Sequence, residues 1–283
     1  MKKPLLLPML LIALLLSAHV QAFQSDKTSI ITAGGTITEI VYELGFGSTI
    51  IATDITSTYP ASMQQLPSIG YRNQIKAEGI LALGPDLLLI ETGYLNPDVV
   101  AQLKSAGLEI HQFDKPTDVS GTYRIIRELA NFLKVPEKGK ALTIQLDKDI
   151  EALDAYTAGL SKKPKMAFVM ARGLENVFVA GEDTFAESLL QMAAIESVGK
   201  GFSDFIPLTP EALVSMNPEY LLFFESSLRS LGGKEAVKNI RGVEQTIAYN
   251  QNGILAFDGL YLSGFGPRVA KAALELAKSV NRN

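Results

Sequence analysis

The chain has 283 residues, with 26 Lys and Arg against 30 Asp and Glu, a formal net charge of −4, two histidines and no cysteine. The acidic balance disfavours nucleic acid and anionic membrane surfaces as partners. Without cysteine there can be neither a disulfide nor a lipid-anchored cysteine, so the fold must hold by core packing.

Lys2 and Lys3 precede an apolar run, LLLPMLLIALLLSA, that ends in Val20-Gln21-Ala22. A basic start, a short apolar stretch and small residues at a cleavage point describe a secretory signal peptide over residues 1–22. An uncleaved anchor is the weaker reading, because Pro4 and Pro8 interrupt a run already short for a bilayer. The expected mature protein starts near Phe23 and is exported. Loss of the two lysines leaves 24 basic residues against 30 acidic, a net charge of −6. The remaining chain, roughly 260 residues, suffices for two modest domains or one two-lobed unit.

Beyond the leader, strand-like and helical runs alternate: Ser29–Ala33 then 36–44, Thr49–Thr53, a helix at 76–83, Leu87–Ile90 then 97–106, and Leu108–Phe113 then 118–133. Such alternation predicts βα units around a mainly parallel sheet. From Pro136 to about Leu160, apolar residues including Ala141, Ile144, Leu146, Ile150, Leu153 and Tyr156 are spaced for one face of a long helix. A second series follows: Met166–Met170, Val177–Ala180, 184–193, 210–216, Tyr220–Phe224, Ile254–Phe257 and a terminal helix from about 267. The expected fold is α/β, two Rossmann-like βα lobes (23–135 and 161–283) joined by one long helix (136–160), with a ligand cleft between them. A single stiff connection predicts little hinge closure.

Two segments, one in each series, read almost as one. Glu78 opens EGILALGPD before LLLI, and Glu211 opens EALVSMNPE before YLLFF. Each is a short helix stopped by proline, then an acid, then an apolar strand. For the Pro-acid pairs alone, ordinary αβ punctuation suffices. The register of both glutamates, both prolines and both apolar runs points to two similar lobes, and a cleft between lobes is a usual seat for a small ligand.

The chemistry is bounded first by what is missing. His111 is the one histidine left after the leader, at the end of the strand run LEIHQF, and reads as structural. Zinc sites of several histidines cannot be built, and a catalytic triad would rest on His111 alone. There is no GxxxxGK[ST] loop, and Gly264-Phe265-Gly266-Pro267 reads as a turn. Enzymatic function has little support; an exported α/β enzyme remains as the alternative from another class.

The segment Leu66 to Glu78, LPSIGYRNQIKAE, differs. Gly70 and the polar stretch after it put Tyr71 on an irregular loop just before the helix that carries Glu78. In open αβ sheets such loops face the ligand edge. By composition a tyrosine there packs or stacks more often than it binds metal. Phenolate does ligate ferric haem in some proteins, and a cation nearby favours the ionised phenol. Arg72 and Lys76 are near enough in sequence to supply that charge or to pair with propionates.

AGGTITEIVYELG at 33–45, Thr58-Tyr59-Pro60, LPSIGYRNQIKAEGILALGPDLLL at 66–89 and LAFDGLYLSGFGPR at 255–268 together resemble the periplasmic haem-binding proteins of bacterial haem ABC importers. These belong to the helix-linked class of substrate-binding proteins that also holds vitamin B12 and siderophore binders. The resemblance spans nearly the whole mature chain. It implies that Tyr71 is the axial ligand to haem iron. It also implies that Glu78 and Glu211, one per lobe, dock a monomeric carrier on an inner-membrane ABC permease and its ATPase. Haem is then the transported ligand, and a siderophore or vitamin B12 is the alternative within the class.

Two departures matter. Some relatives carry a histidine after the strand equivalent to Met166–Met170, where this chain has Ala171-Arg172-Gly173. The iron is then five-coordinate through Tyr71, or takes a weak ligand such as Met170, and double loading is in doubt. Relatives also place arginine two residues after the tyrosine; here that position is Asn73, and the arginine is Arg72. Arg172, at a strand end, is a candidate propionate clamp, with a solvated loop arginine as the alternative. Arg229 and Arg268 read as surface and helix-start residues. Tyr59, Tyr94, Tyr261 and Phe265 are expected in loops as stacking candidates, Tyr261 and Phe265 foremost.

Overall fold

The computed structural model describes residues 28–281; the expected signal peptide lies outside them. The first sheet forms because the runs Ile30–Ala33, Ile50–Thr53 and Leu87–Glu91 are buried on both faces, the pattern of a parallel sheet covered by helices, while the edge strand Glu109–Phe113 buries only Phe113. β1 (Ile30–Ala33) leads into α1 (Gly35–Val41), and β2 (Ile50–Thr53) is followed by a long irregular stretch and the short α2 (Ala77–Leu81). β3 (Leu87–Glu91), α3 (Pro97–Ser105), β4 (Glu109–Phe113) and α4 (Val119–Phe132) complete this half. The strand order is β2-β1-β3-β4, all parallel.

α5 (Pro136–Thr157) runs from this half to the next, starting with proline at its first turn, where the missing N–H costs nothing. The second sheet holds β5 (Lys165–Ala171), β6 (Val177–Ala180), the two-residue β7 (Glu196–Ser197), β8 (Phe205–Pro207), β9 (Tyr220–Phe224) and β10 (Ile254–Phe257). Its order is β10-β9-β5-β6-β8, with β7 also on β5. Its helices are α6 (Phe185–Met192), α7 (Pro210–Met216), α8 (Glu225–Leu231), α9 (Ile247–Asn250), α10 (Gly259–Ser263) and α11 (Val269–Val280).

Two details go beyond the expectation. The second sheet is parallel in three of its pairings and antiparallel in two: β6 turns back on β5 and β8 pairs antiparallel with β6. The reversal is closed by the Arg172 N–H donating to the Asn176 carbonyl at 2.9 Å, so Arg172 opens a hairpin turn. The other concerns Arg268, which is no plain helix-start residue.

The repeated segments are explained locally. α7 ends at Asn217, and the turn that follows α2 ends at Gly84; both adopt left-handed backbone, φ +40° and +62°, and a proline follows each. That combination stops a helix and turns the chain into a strand. Asp86, next after the first proline, accepts the Ser29 N–H at 2.7 Å and so ties β3 to β1. Glu78 and Glu211 each stand second in their helix, exposed.

The halves share one core. A continuous apolar cluster runs from Ile30 and Leu89 through Leu146 and Leu153 of α5 to Phe168 and Leu222, with α11 packed into it. Polar bonds cross in parallel. The guanidinium of Arg268 donates to both oxygens of Glu39 at 2.8 and 2.9 Å. Glu39 lies 2 % exposed on α1, every residue of which is buried. The Thr36 hydroxyl donates to the Gly264 carbonyl at 2.6 Å and that of Thr122 to Phe265 at 2.7 Å. Burial pushes the Glu39 carboxyl up against the opposing pull of Arg268.

Arg268→Ala should therefore destabilise by about 3 kcal/mol, the low end for breaking a buried pair because Arg268 keeps some solvent contact. The loss should shrink as pH falls, since an unpaired Glu39 takes up a proton in the folded state. Urea denaturation between pH 4 and 8 measures both; a loss independent of pH would contradict the role given to this pair.

Candidate functional site

The carboxyl ends of the parallel strands converge on one cleft of about 670 Å³, within the range of about 300–1,000 Å³ usual for small-ligand sites. Each lobe contributes the residues that follow its strands. Gly35 follows β1, Glu91 ends β3, Lys115 follows β4, Arg172 follows β5, Glu225 follows β9 and Asp258 follows β10, and all six line the cleft. This is the ligand edge that strand direction dictates in open αβ sheets. Its apolar walls are Ile55, Met170, Phe224 and Leu260; Ile55 is 59 % exposed, high for a large apolar side chain.

Tyr71 reaches this cleft because its loop is pinned as a short extra pairing beside β2. The Thr53 N–H donates to Pro67, the Ile69 N–H to Thr53 and the Ile55 N–H to Gly70, at 3.1, 2.9 and 3.1 Å. Gly70 takes φ +99°, a left-handed turn that glycine adopts without strain. Tyr71 follows, partly buried and lining the cleft. Arg72 has φ +42°, costly for a side-chain-bearing residue. Its guanidinium carbon lies 5.6 Å from the Tyr71 ring centre and 5.0 Å from that of Tyr94.

Beneath them is a buried polar knot. Asp54 accepts from the Gly34 N–H at 3.0 Å, the Thr56 N–H at 2.8 Å and the Ser57 hydroxyl at 2.7 Å. The Thr56 and Tyr94 hydroxyls donate to it as well. Burial, then the Asp54 charge and hydrogen bond, push the Tyr94 phenol far above its ordinary value, so Tyr94 is a neutral donor. Glu91 is 5 % exposed and packs against Gly34, where a Cβ would lie 2.4 Å from its side chain. Burial raises its carboxyl, Lys115 opposes this, Asp54 adds to it and Arg72 opposes it.

Of the residues singled out from sequence, Tyr71, Arg72 and Arg172 meet at the cleft. Tyr261 does not line it. That side chain stands in an adjoining hollow of about 460 Å³ with Tyr59, Arg268 and Glu275. Burial, followed by Glu275, pushes the Tyr261 phenol up to about 12. The expectation for Phe265 is overturned, for it is 1 % exposed inside the shared core and cannot stack on a ligand. Tyr94 is in the turn after β3, as expected, and borders the cleft, but it is only 2 % exposed, and Tyr59 lies against Arg268, 3.6 Å from ring centre to guanidinium carbon. Arg229 does line the cleft, loosely paired with Glu225 at 3.7 Å. His111 is outside the cleft lining, bonded to Glu109 at 2.9 Å and tilted on Phe132. Glu78 and Glu211 also lie outside the lining. Lys115 and Glu91 were passed over as site residues, though their position at strand ends was the available signal; Tyr94, weighed as a stacking ring, is a buried donor to Asp54.

A profile of periplasmic binding proteins matches residues 30–259. The chain belongs to the periplasmic binding protein family. The periplasmic heme-binding protein RhuT from Roseiflexus sp. RS-1 superposes with a TM-score of 0.85 at 32 % identity, covering 89 % of this chain and 97 % of that one. The periplasmic heme-binding protein BhuT, solved with two hemes, gives 0.82 at 32 %, covering 88 % and 96 %. Among curated sequences, the vitamin B12-binding protein of Photorhabdus laumondii is 24 % identical, covering 95 % of this chain and 94 % of its own length. The resemblance to haem-binding proteins thus extends from motifs to whole-chain structure, within a family of substrate binders for transport. No helix among the described residues is long and apolar enough to cross a membrane.

Because its proton is held more firmly in the folded state, Glu91 contributes stability at acid pH that is lost as pH rises through its raised value. Glu91→Gln should be more stable than the parent at pH 7, by roughly 2–4 °C in Tm, and the difference should vanish below the ordinary glutamate range. Thermal melts across pH 3–8 check this; a Gln variant less stable at neutral pH would refute it.

Proposed function

We propose that this protein is a periplasmic carrier that captures ferric haem and hands it to an inner-membrane ABC importer. The observation that carries the reading is Tyr71, a phenol presented on a pinned loop into an inter-lobe cleft with a guanidinium beside it. Haem is flat, apolar over most of its area and carries two carboxylates on one edge. The cleft offers what such a molecule needs: an oxygen donor for iron, apolar walls in Ile55, Met170, Phe224 and Leu260, and cations in Arg72, Lys115, Arg172 and Arg229. Phenolate ligation suits ferric haem, and guanidinium groups meet carboxylates in bidentate fashion. Likeness to haem binders at 32 % identity supports the same ligand. Vitamin B12 is the second reading, favoured by the B12-binding sequence relatives.

Capture needs no chemistry beyond ligation and burial. Tyr71 holds iron on one side. Met170 lies on the opposite lobe's wall, where a thioether gives at most a weak sixth ligand. The lobes are already tied by Glu39 and Arg268, so binding draws little on closing motions. Glu78 and Glu211, at matching places on α2 and α7, supply one acidic contact per lobe for the permease. Export through the leader at 1–22 completes this reading.

Titration with ferric haem should give a saturable high-spin tyrosinate spectrum. In Tyr71→Ala that spectrum should be lost and affinity fall by about 100-fold or more, since changes to groups that merely support a metal ligand already cost roughly 10–100-fold. Saturable cobalamin binding with no haem spectrum would favour the second reading. The pair Glu78→Ala and Glu211→Ala should leave haem binding unchanged and abolish stimulation of the reconstituted importer's ATPase; undiminished stimulation would remove both glutamates from docking.

A further inference from the structure

Arg72 sits at the ligand face of the cleft, where Glu91 feels its charge but makes no salt bridge with it. Among the described residues it forms no ion pair, and its own backbone is in a left-handed conformation that disfavours the placement. What surrounds its guanidinium is aromatic: the Tyr94 ring at 5.0 Å and the Tyr71 ring at 5.6 Å, the two rings meeting edge to face at 6.5 Å and 84°. Of these rings Tyr71 is on the same pinned loop, whereas Tyr94 comes from the turn after β3 and is buried to 2 % exposure. Tyr94 is in turn fixed at its far end, its hydroxyl donating to an Asp54 that also holds the Gly34, Thr56 and Ser57 groups. A phenol donating to a carboxylate carries a more electron-rich ring, the kind a cation prefers.

We propose that Tyr94, anchored by Asp54, is a positioning residue: it holds the Arg72 guanidinium beside Tyr71, ready for the ligand, before any ligand arrives. This rests on the haem reading for its consequence but not for its geometry. The N–H groups of Arg72, not taken up in ion pairs, then stay available to the bound phenolate oxygen or to a propionate. Tyr94 itself needs no contact with the iron, since its hydroxyl is committed to Asp54.

The test has two independent readouts. In the ligand-free, ¹⁵N-labelled protein, the Arg72 side-chain N–H resonance, identified by its loss in Arg72→Gln, should be moved upfield by the ring currents. In Tyr94→Leu it should return towards the exposed arginines. In haem titrations Tyr94→Leu and Arg72→Gln should each weaken binding about ten-fold, and the double variant should also stay near ten-fold, because both changes remove one interaction. Tyr94→Phe, which keeps the ring and its packing, should cost less than either and guards against loss of the fold. Losses that multiply to about 100-fold, or an Arg72 resonance unmoved by Tyr94→Leu, would overturn the proposal. A parent protein that binds no haem would sink the haem reading, while the ligand-free resonance would still decide whether Tyr94 holds Arg72.

Discussion

A carboxylate on a helix with no exposed residue has to be answered from elsewhere in the chain. Glu39 is such a group, and its answer, Arg268, comes from 229 positions away at the head of the last helix. Left unpaired, a buried charge of this kind costs several kcal/mol. So the first helix of one lobe is stably buried only when the last helix of the chain is docked on it. Tyr59 closes over the guanidinium, and the Thr36 and Thr122 hydroxyls take the carbonyls just before Arg268. With α5 alone the lobes would be hinged at one strut. With this second attachment and a common core, the separation of the cleft walls is set before a ligand arrives, and binding is spared part of the ordering cost that flexible receptors meet.

The contents of the cleft follow from strand direction. Parallel strands present their carboxyl ends together, and the residues immediately beyond them become neighbours whatever their distance in sequence. That is how Glu91, Lys115, Arg172 and Asp258 come to share one cavity. Such convergence also concentrates acids, which would repel a ligand's carboxylates. The structure limits this in two ways. Asp54 is consumed by five donors below the surface, and burial favours the neutral form of Glu91. What faces the ligand is more cationic than the residue list suggests.

How much of this was readable in the sequence depended on whether the signal was local. The strands Val177–Ala180, Tyr220–Phe224 and Ile254–Phe257 and the helix Pro210–Met216 were legible because apolar runs and proline punctuation mark them directly. The two- and three-residue strands β7 and β8 and the short helices α8, α9 and α10 were not, since one turn of helix or one pair of strand residues shows no period. Tyr71 was legible as a loop residue beside glycine. Lys115 was not singled out and Tyr94 was read only as a stacking ring, because only the sheet order brings them to Glu91 and Arg72. Phe265 misled for the same reason: a Gly-Phe-Gly-Pro run looks like an exposed turn, and it is buried in the core that the two halves share.

The two glutamates on α2 and α7 pose the converse question, why an exposed side chain should sit at one place in both lobes. Local structure accounts for the rest of the repeat. Gly84 and Asn217 provide the left-handed stops and the prolines enforce them. The helix dipole favours an acid in the first turn by about 0.3–1 kcal/mol, but the two helices differ in their need for it: Thr209 caps α7 through the Ala212 N–H, while α2 has no side-chain cap. Neither glutamate forms an ion pair among the described residues. Stability therefore gives unequal reasons for the acid in the two lobes, whereas a two-subunit partner gives the same reason twice. On the docking role proposed above, an acidic contact repeated at equivalent, solvent-facing points of a two-lobed body is what a two-subunit partner can read without a change of shape.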